Sequence, residues 1–319
     1  MIILSIETSC DETAASVVEN GTHVLSNVIN SQIKIHEKFG GVVPEIASRN
    51  HIKNISFVVD KALSDSKKTF ENIDVFAVTK EPGLNGSLLV GIMTAEAYAL
   101  ALNKPLIYVN HIMGHICANF IQKPDLKPPF VCLIASGGHS HIALVKNYVE
   151  FEIIAKTRDD AAGEAFDKIS RFLGLGYPGG PAIEKISNEN DEEYIKFPKV
   201  KFKNSLDFSF SGVKTSVINY VERKKINETL INVKNIAASF QEAIVDILTE
   251  NLIKAVIQKN IKNVTICGGV ASNQALRNLV QKKCMEKNLK FCCPEPILCT
   301  DNAAMIGCAA YYQILYKKK

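Results

Sequence analysis

The sequence predicts an α/β fold built from a duplicated unit. Short apolar runs alternate with longer amphipathic stretches, the pattern of strands followed by helices. The run Phe130–Ala135, the small-residue turn Ser136-Gly-Gly-His-Ser140 and the run His141–Lys146 repeat the order of elements in residues 2–19. Val264–Cys267, the turn Gly268-Gly-Val-Ala-Ser272 and a helix from Asn273 repeat the order in residues 73–102. Identity between the echoes is low, so the order of elements carries the duplication.

In chain order, Ile2–Ile6 reads as a strand, Glu7-Thr-Ser-Cys-Asp-Glu-Thr13 as a polar turn and Ala14–Glu19 as the returning strand. Such a unit presents backbone N–H groups and short hydroxyls to a phosphate. Asp11 and Glu12 repel a bare phosphate unless a metal lies between, and an ordinary hairpin has the same pattern. Gly40, Gly41 and Pro44 mark a loop, and a helix follows from Glu45, apolar at Ile46, Ile52, Ile55 and Val59. Ile73–Thr79 is a strand, Pro82-Gly-Leu-Asn-Gly-Ser87 a glycine loop and Leu88–Leu102 a helix. A glycine loop at a helix N-terminus is an anion site in principle. It is not a Walker A loop, because the G-K-[ST] ending is absent.

Pro105–Val109 reads as a buried strand leading into Asn110-His-Ile-Met-Gly-His-Ile116. On a helix, His111 and His115 share one face, one turn apart. The pair then opens a helix at a strand end, where open α/β sheets bind ligands. Two neutral imidazoles suit Zn²⁺ or Fe²⁺. The Glu of His-Glu-x-x-His is missing, so the metalloprotease base is absent. Two surface or capping histidines have the same spacing.

Gln122-Lys-Pro-Asp-Leu-Lys-Pro-Pro129 is the best linker candidate. Arg158–Lys168 runs into a helix, and Gly174-Leu-Gly-Tyr-Pro-Gly-Gly-Pro181 is a tight loop of the kind that approaches ligands. Asp167 and Glu184 flank it and can accept ribose or amine hydrogen bonds, or serve as helix-terminal charges or salt-bridge partners. Residues 185–235 are polar and insertion-like. Phe197-Pro-Lys-Val-Lys-Phe-Lys203 mixes lysines with aromatics, which fits a nucleic-acid contact or a solvated face. Ile236–Ile257 is a long amphipathic core helix. Cys299–Met305 starts the last helix, with Thr300 or Asp301 near its cap. Asp301 is a possible third metal ligand. The tail Lys317–Lys319 is expected to fray.

The 319 residues are 47% hydrophobic and 22% charged, which is globular material long enough for two domains. The net charge of +4 permits nucleic-acid binding without demanding it. Nine cysteines, an odd number with no C-x-x-C, argue for a reducing compartment and against a disulfide frame or zinc ribbon. The first apolar run has no basic flank and ends at Glu7, so it is expected to be a strand and not a signal peptide. No apolar run approaches the roughly 20 residues of a membrane helix. A soluble, cytoplasmic protein is expected.

Together, Ile6-Glu-Thr-Ser-Cys-Asp-Glu-Thr13, Gly40-Gly-Val-Val-Pro-Glu-Ile-Ala-Ser-Arg-Asn-His51, Asn110-His-Ile-Met-Gly-His115, Ser136-Gly-Gly-His139, Gly176-Tyr-Pro-Gly-Gly-Pro181, Ser209-Phe-Ser-Gly-Val-Lys-Thr215 and Gly268-Gly-Val-Ala-Ser-Asn273 resemble the TsaD/Kae/Qri family. These are threonylcarbamoyl transferases of tRNA modification, once called O-sialoglycoprotein endopeptidases. The Gly-Gly-Val-Val-Pro-Glu form resembles the bacterial and organellar branch. The resemblance implies an actin-like, sugar-kinase-like fold of two ribonuclease-H-like lobes. These lobes are expected over residues 1–125 and 126–300, the second with a helical insertion near 185–235. A C-terminal helix over 301–319 is expected to pack back between them. It implies that His111, His115 and Asp301 bind one divalent metal, Fe²⁺ or Zn²⁺. It also implies that Ala135, Ser136, Gly137, Gly138, His139, Asp167, Gly180, Glu184 and Asn273 hold threonylcarbamoyl-AMP, with an ATP- or AMP-type nucleotide as the related ligand. Three positions depart from the family pattern. Glu81 replaces the first Gly of Gly-Pro-Gly-Leu, His141 stands where Gln is common, and Ile134 stands where archaeal relatives carry a tyrosine near the metal.

The implied reaction is transfer of the threonylcarbamoyl group to the exocyclic amine of the adenosine beside the anticodon, on its 3′ side, in tRNAs reading codons that begin with A. No serine or cysteine nucleophile is required, and Asp11 and Glu12 are the candidates for the base. The implied partners are tRNA, a paralogous TsaB-like scaffold subunit and a small TsaE-like ATPase, with no membrane. An organellar relative that acts alone as a homodimer is the other precedent. The rival readings are an ATP-dependent kinase or ATPase of the same fold, which fold alone does not exclude, and a non-catalytic scaffold. Scaffold paralogues lack the paired His that this chain keeps. The old endopeptidase reading lacks its base.

Overall fold

The computed structural model describes residues 1–190 and 194–316. Its strands and α-helices run β1 (Ile2–Glu7), β2 (Glu12–Glu19), β3 (His23–Ser31), α1 (Ile33–His36), α2 (Pro44–Asp65), β4 (Val75–Glu81), α3 (Asn85–Ala101), β5 (Leu106–Asn110) and α4 (His111–Gln122). Then come β6 (Phe130–Ala135), β7 (Ser140–Asn147), β8 (Glu150–Lys156), α5 (Ala162–Phe172), α6 (Gly179–Ser187), α7 (Ser211–Ile226) and α8 (Val233–Gln258). The chain closes with β9 (Asn263–Cys267), α9 (Gln274–Glu286), β10 (Lys290–Cys292), α10 (Pro296–Cys299) and α11 (Ala303–Tyr316). The expected tail Lys317–Lys319 lies outside the described residues.

The chain divides into two compact units. One comprises Met1–Pro128, Lys146–Phe151 and Pro294–Lys319, and the other Pro129–Val145 and Glu152–Cys293. The change at Pro128 and Pro129 falls inside the proline-rich stretch Gln122–Pro129.

The first unit holds a five-stranded sheet in the order β3-β2-β1-β4-β5. β1 pairs antiparallel with β2 and parallel with β4. β1 is buried on both faces, which is why its residues are apolar apart from Ser5 and the closing Glu7. On one face, α2 and α3 cover Leu4, Ile6, Phe76 and Val78 with Val58, Val59 and Ala95. α11 also packs against β1 and β2, as well as α4. Gly307 of α11 is needed for that approach, because a Cβ there would lie 2.8 Å from Val18 Cγ2. Ser5 Oγ donates to the Ala303 carbonyl at 2.6 Å.

The second sheet has the order β10-β9-β6-β7-β8. Its central β6 pairs antiparallel with β7 and parallel with β9, and β9 pairs parallel with β10. Read from the other end, this is the order of the first sheet, so the duplication inferred from the sequence is present as topology.

The edge strands β3, β8 and β10 were not evident in the sequence. Each is half-exposed and mixed in polarity, so the alternation that marks a strand is weak. α3 begins at Asn85 and not Leu88, and α8 begins at Val233, where the Asn232 side chain caps it by accepting from Asn235 N. The polar stretch 185–235 contains α7, and its residues 191–193 lie outside the described chain. Among the described residues, no helix is long and apolar enough to cross a membrane.

Candidate metal centre

β5 ends at Asn110, whose side chain accepts the Met113 amide at 3.1 Å and so starts α4. His111 and His115 therefore occupy the first turn and its successor, and their rings stand edge to face with centroids 4.6 Å apart. Thr300 and Asp301 are not the cap of α11. Asn302 takes that place, accepting Met305 N at 3.0 Å. Asp301 is thereby left to face the His pair. Its Oδ1 lies 3.5 Å from His111 Nε2 and 3.2 Å from His115 Nε2.

These separations fit a cation. Donors on bonds of 2.0–2.2 Å at a tetrahedral angle stand about 3.4 Å apart. His115 adds an independent sign. It is fully buried, and neither ring nitrogen has a hydrogen-bond partner among the described residues. An unsatisfied buried polar atom is costly, and a metal at Nε2 would relieve it. Two nitrogens and one carboxylate oxygen fit open Zn²⁺ sites and the facial triad of Fe²⁺.

Glu7, at the end of β1, completes the surroundings. It is wholly buried, and its Oε2 lies 3.1 Å from His111 Nδ1. Burial pulls the His111 imidazole down, but the carboxylates of Asp301 and Glu7 and the Glu7 hydrogen bond outweigh it and hold it up at about 9. Burial raises Glu7 in turn, yet the charge and hydrogen bond of His111 leave it below the usual carboxylate range.

In the turn after β1, burial, the charge and hydrogen bond of Asp11 and the charge of Asp301 push Glu12 up to about 9. Ser31 Oγ donates to it at 2.7 Å. Burial and the neighbouring carboxylates push the Cys10 thiol far above its ordinary value, which makes it inert as a nucleophile. His51 holds this turn: its Nδ1 and Thr13 Oγ1 are 2.8 Å apart, and its Nε2 is 2.9 Å from the Cys10 carbonyl.

One amide of the glycine loop at residues 82–87 is already engaged. The Leu84 amide is taken by the Ser9 carbonyl at 2.8 Å, and a Cβ on Gly83 would lie 2.7 Å from that same oxygen. The loop's glycine serves close packing against the Glu7–Glu12 turn.

The remaining candidate residues lie in the second unit and form a connected group. Ser136 N donates to the His139 carbonyl, and His139 N to Ser136 Oγ, closing a turn that leaves Gly137 and Gly138 exposed. Ala135 is buried behind it, and Gly163 of α5 backs it, since a Cβ there would lie 2.6 Å from the Ser136 oxygen. Asp167 Oδ1 accepts the Gly179 amide at 2.7 Å. Glu184 Oε1 accepts the Gln274 amide at 2.6 Å, at the start of α9. Asn273 caps α9 through Leu276 N and donates to Gln241 Oε1 at 2.7 Å. Of the loop glycines, Gly174 and Gly176 have positive φ, and Gly179 is crowded by the Phe166–Asp167 backbone. Gly180 has neither constraint, because nothing lies within 4 Å of a Cβ placed there.

The lysines of the Phe197–Lys203 stretch are largely neutralised. Lys199 pairs with Asp246, and Lys201 with Glu250 at 2.9 Å. Glu7 and His51 went unnoticed in the sequence. The sign for Glu7 is a lone acid closing a central strand that is apolar apart from Ser5.

A profile of the family TsaD, described as tRNA N6-adenosine threonylcarbamoyltransferase, matches residues 23–308. The chain belongs to that family. It is an enzyme family of the transferase class. A relative of that name from Clostridium botulinum (strain Hall) is 57% identical over 314 residues, spanning 98% of this chain and 92% of the relative. One from Clostridium novyi is 58% identical over 315 residues, with the same coverage. Among solved structures, Thermococcus kodakarensis HypF gives a TM-score of 0.66 at 14% identity, covering 99% of this chain and 48% of that one. Component A of the Acidaminococcus fermentans (R)-2-hydroxyglutaryl-CoA dehydratase gives 0.60 at 12%, covering 99% of both. At such identities the likeness speaks to fold alone, and that fold is the expected actin-like, sugar-kinase-like one.

Proposed function

We propose that this chain transfers a threonylcarbamoyl group from threonylcarbamoyl-AMP to the exocyclic amine of a tRNA adenosine, the one beside the anticodon on its 3′ side. The observation that carries this is the triad of buried His111 and His115 with half-buried Asp301, in a chain whose close relatives bear the name of that activity. A rival kinase of this fold has no use for such a triad.

His111, His115 and Asp301 would hold the metal, Fe²⁺ or Zn²⁺. When bound, it supplies a Lewis acid that polarises the carbamoyl carbonyl and orients the threonyl group. In the transfer, the amine nitrogen bonds to the carbamoyl carbon, the bond from that carbon to the phosphate oxygen breaks, and AMP leaves. The amine proton goes to a carboxylate, for which Asp11 and Glu12 are the candidates. The exposed Gly137 and Gly138 amides are those left to meet the phosphate or developing oxyanion. Asp167, Gly180, Glu184 and Asn273 are the proposed contacts to the adenylate.

Gly180→Val tests that assignment cleanly. A Cβ at this position meets nothing within 4 Å, so the melting temperature should stay near wild type while the Michaelis constant for the adenylate rises. An unchanged constant with intact activity would remove this loop from the site. The kinase rival predicts instead rapid ATP turnover without tRNA, indifferent to His111→Ala.

The protein is expected to need partners. With +4 net charge and Lys199, Lys201 and Lys214 each paired to an acid, few phosphates can be neutralised, and non-specific affinity scales with that number. α3 also presents Leu89, Met93 and Leu100 to solvent in one stripe, a surface that a protein partner would cover. A TsaB-like scaffold and a TsaE-like ATPase are the proposed partners, in the cytoplasm. Titrating tRNA into the isolated protein at about 150 mM salt should give only weak binding and no sustained turnover. Submicromolar binding with full multiple turnover would favour a self-sufficient homodimer.

A further inference from the structure

We propose that Glu7 is a positioning residue for His111, fixing which ring nitrogen faces the metal. This rests on the metal-centre reading above. Three donors from three elements converge on the buried Glu7 carboxylate. Ser9 N–H reaches Oε1 at 2.5 Å, Thr79 Oγ1 of β4 reaches Oε2 at 2.5 Å, and His111 Nδ1 of α4 lies 3.1 Å from Oε2. With two donors holding it from the strand side, the carboxylate cannot swing away, and its remaining acceptor capacity points at Nδ1. A carboxylate only accepts, so Nδ1 must carry the proton. Nε2, 3.5 Å from Asp301 Oδ1, is then the nitrogen that faces the metal.

Ser9 Oγ also lies 3.2 Å from Nδ1. A hydroxyl can donate or accept, so it cannot select the tautomer. His115 has no such anchor, since its Nδ1 lacks a partner among the described residues. Metal-binding histidines normally have one, and removing it typically weakens metal binding about 10–100-fold. Of the two histidines, His111 is the one given a carboxylate anchor among the described residues, and that anchor is Glu7.

The test is competition of Zn²⁺ between a chromophoric chelator and the metal-free protein, for wild type, Glu7→Gln, Glu7→Asp and Ser9→Ala. Glu7→Gln must turn an amide NH₂ toward either His111 or its other donors. It should lose affinity by about 10–100-fold. Glu7→Asp keeps the charge but withdraws the acceptor by one methylene, and should lose affinity too, whereas Ser9→Ala should not. In the zinc-loaded wild type, the ¹⁵N imidazole spectrum should show His111 as the Nδ1–H tautomer with a protected proton. That spectrum decides the matter if the Glu7 variants do not fold. Wild-type affinity in Glu7→Gln or in Glu7→Asp, or an Nε2–H tautomer, would overturn the role of Glu7 and leave the metal centre standing. Failure of the wild type itself to bind Zn²⁺ would overturn both.

Discussion

Replacing His115 by alanine is expected to weaken metal binding by about two to four orders of magnitude and to abolish transfer, while the chain stays folded. One of three ligands is lost, and a third of a binding energy of about 10–16 kcal/mol is about 3–5 kcal/mol. The fold should tolerate the change, because the two buried ring nitrogens that disappear have no hydrogen-bond partner among the described residues. His111→Ala should lose the metal equally but cost more stability. It leaves the buried Glu7 carboxylate with the Ser9 and Thr79 donors but without its charged partner, and orphaning one member of a buried charged pair costs about 3 kcal/mol or more. Metal content by plasma mass spectrometry and a melting curve on each variant separate the two effects. Full metal occupancy in the double alanine variant would show that the triad is not a metal site.

The second large effect is structural. Gly179→Ala is expected to destabilise the second unit by about 3 kcal/mol, the upper range for overpacking. An alanine Cβ would lie 2.5 Å from Asp167 Cα and 2.6 Å from the Phe166 carbonyl carbon. These are backbone atoms inside α5 and cannot turn aside as a side chain would. The same clash breaks the Asp167–Gly179 hydrogen bond, so adenylate binding should fall with stability. Thermal denaturation followed by circular dichroism should show a melting point lower by about 6–12 °C, taking about 2–4 °C per kcal/mol. The neighbouring Gly180→Val should leave that melting point alone. Equal behaviour of the two variants would contradict the packing described here.

Local periodicity made much of the fold readable. The His pair stood out because the helical repeat and the strand before it are both visible within a dozen residues. Asp301 could not be joined to them by spacing, because it arrives from the other end of the chain. The resemblance joined them, and the three side chains lie together. The run Thr300-Asp-Asn302 offers three plausible caps, and only packing decides that Asn302 caps while Asp301 turns to the histidines. The glycines of residues 174–181 looked alike in sequence, yet Gly176 serves its dihedral, Gly179 its neighbours, and Gly180 neither. Edge strands β3 and β10 were hidden for a different reason: with one side open to water, they need no clear apolar pattern.

The most direct test of the central claim joins the metal-loaded protein and its proposed partners with threonylcarbamoyl-AMP and unmodified tRNA, followed by mass spectrometry of the released nucleosides. The expected result is threonylcarbamoyl-modified adenosine at the position 3′ of the anticodon, formed mole for mole with AMP and absent when His115→Ala replaces the wild type. Unmodified adenosine, with ATP consumed in the absence of tRNA at a rate indifferent to His115, would contradict it.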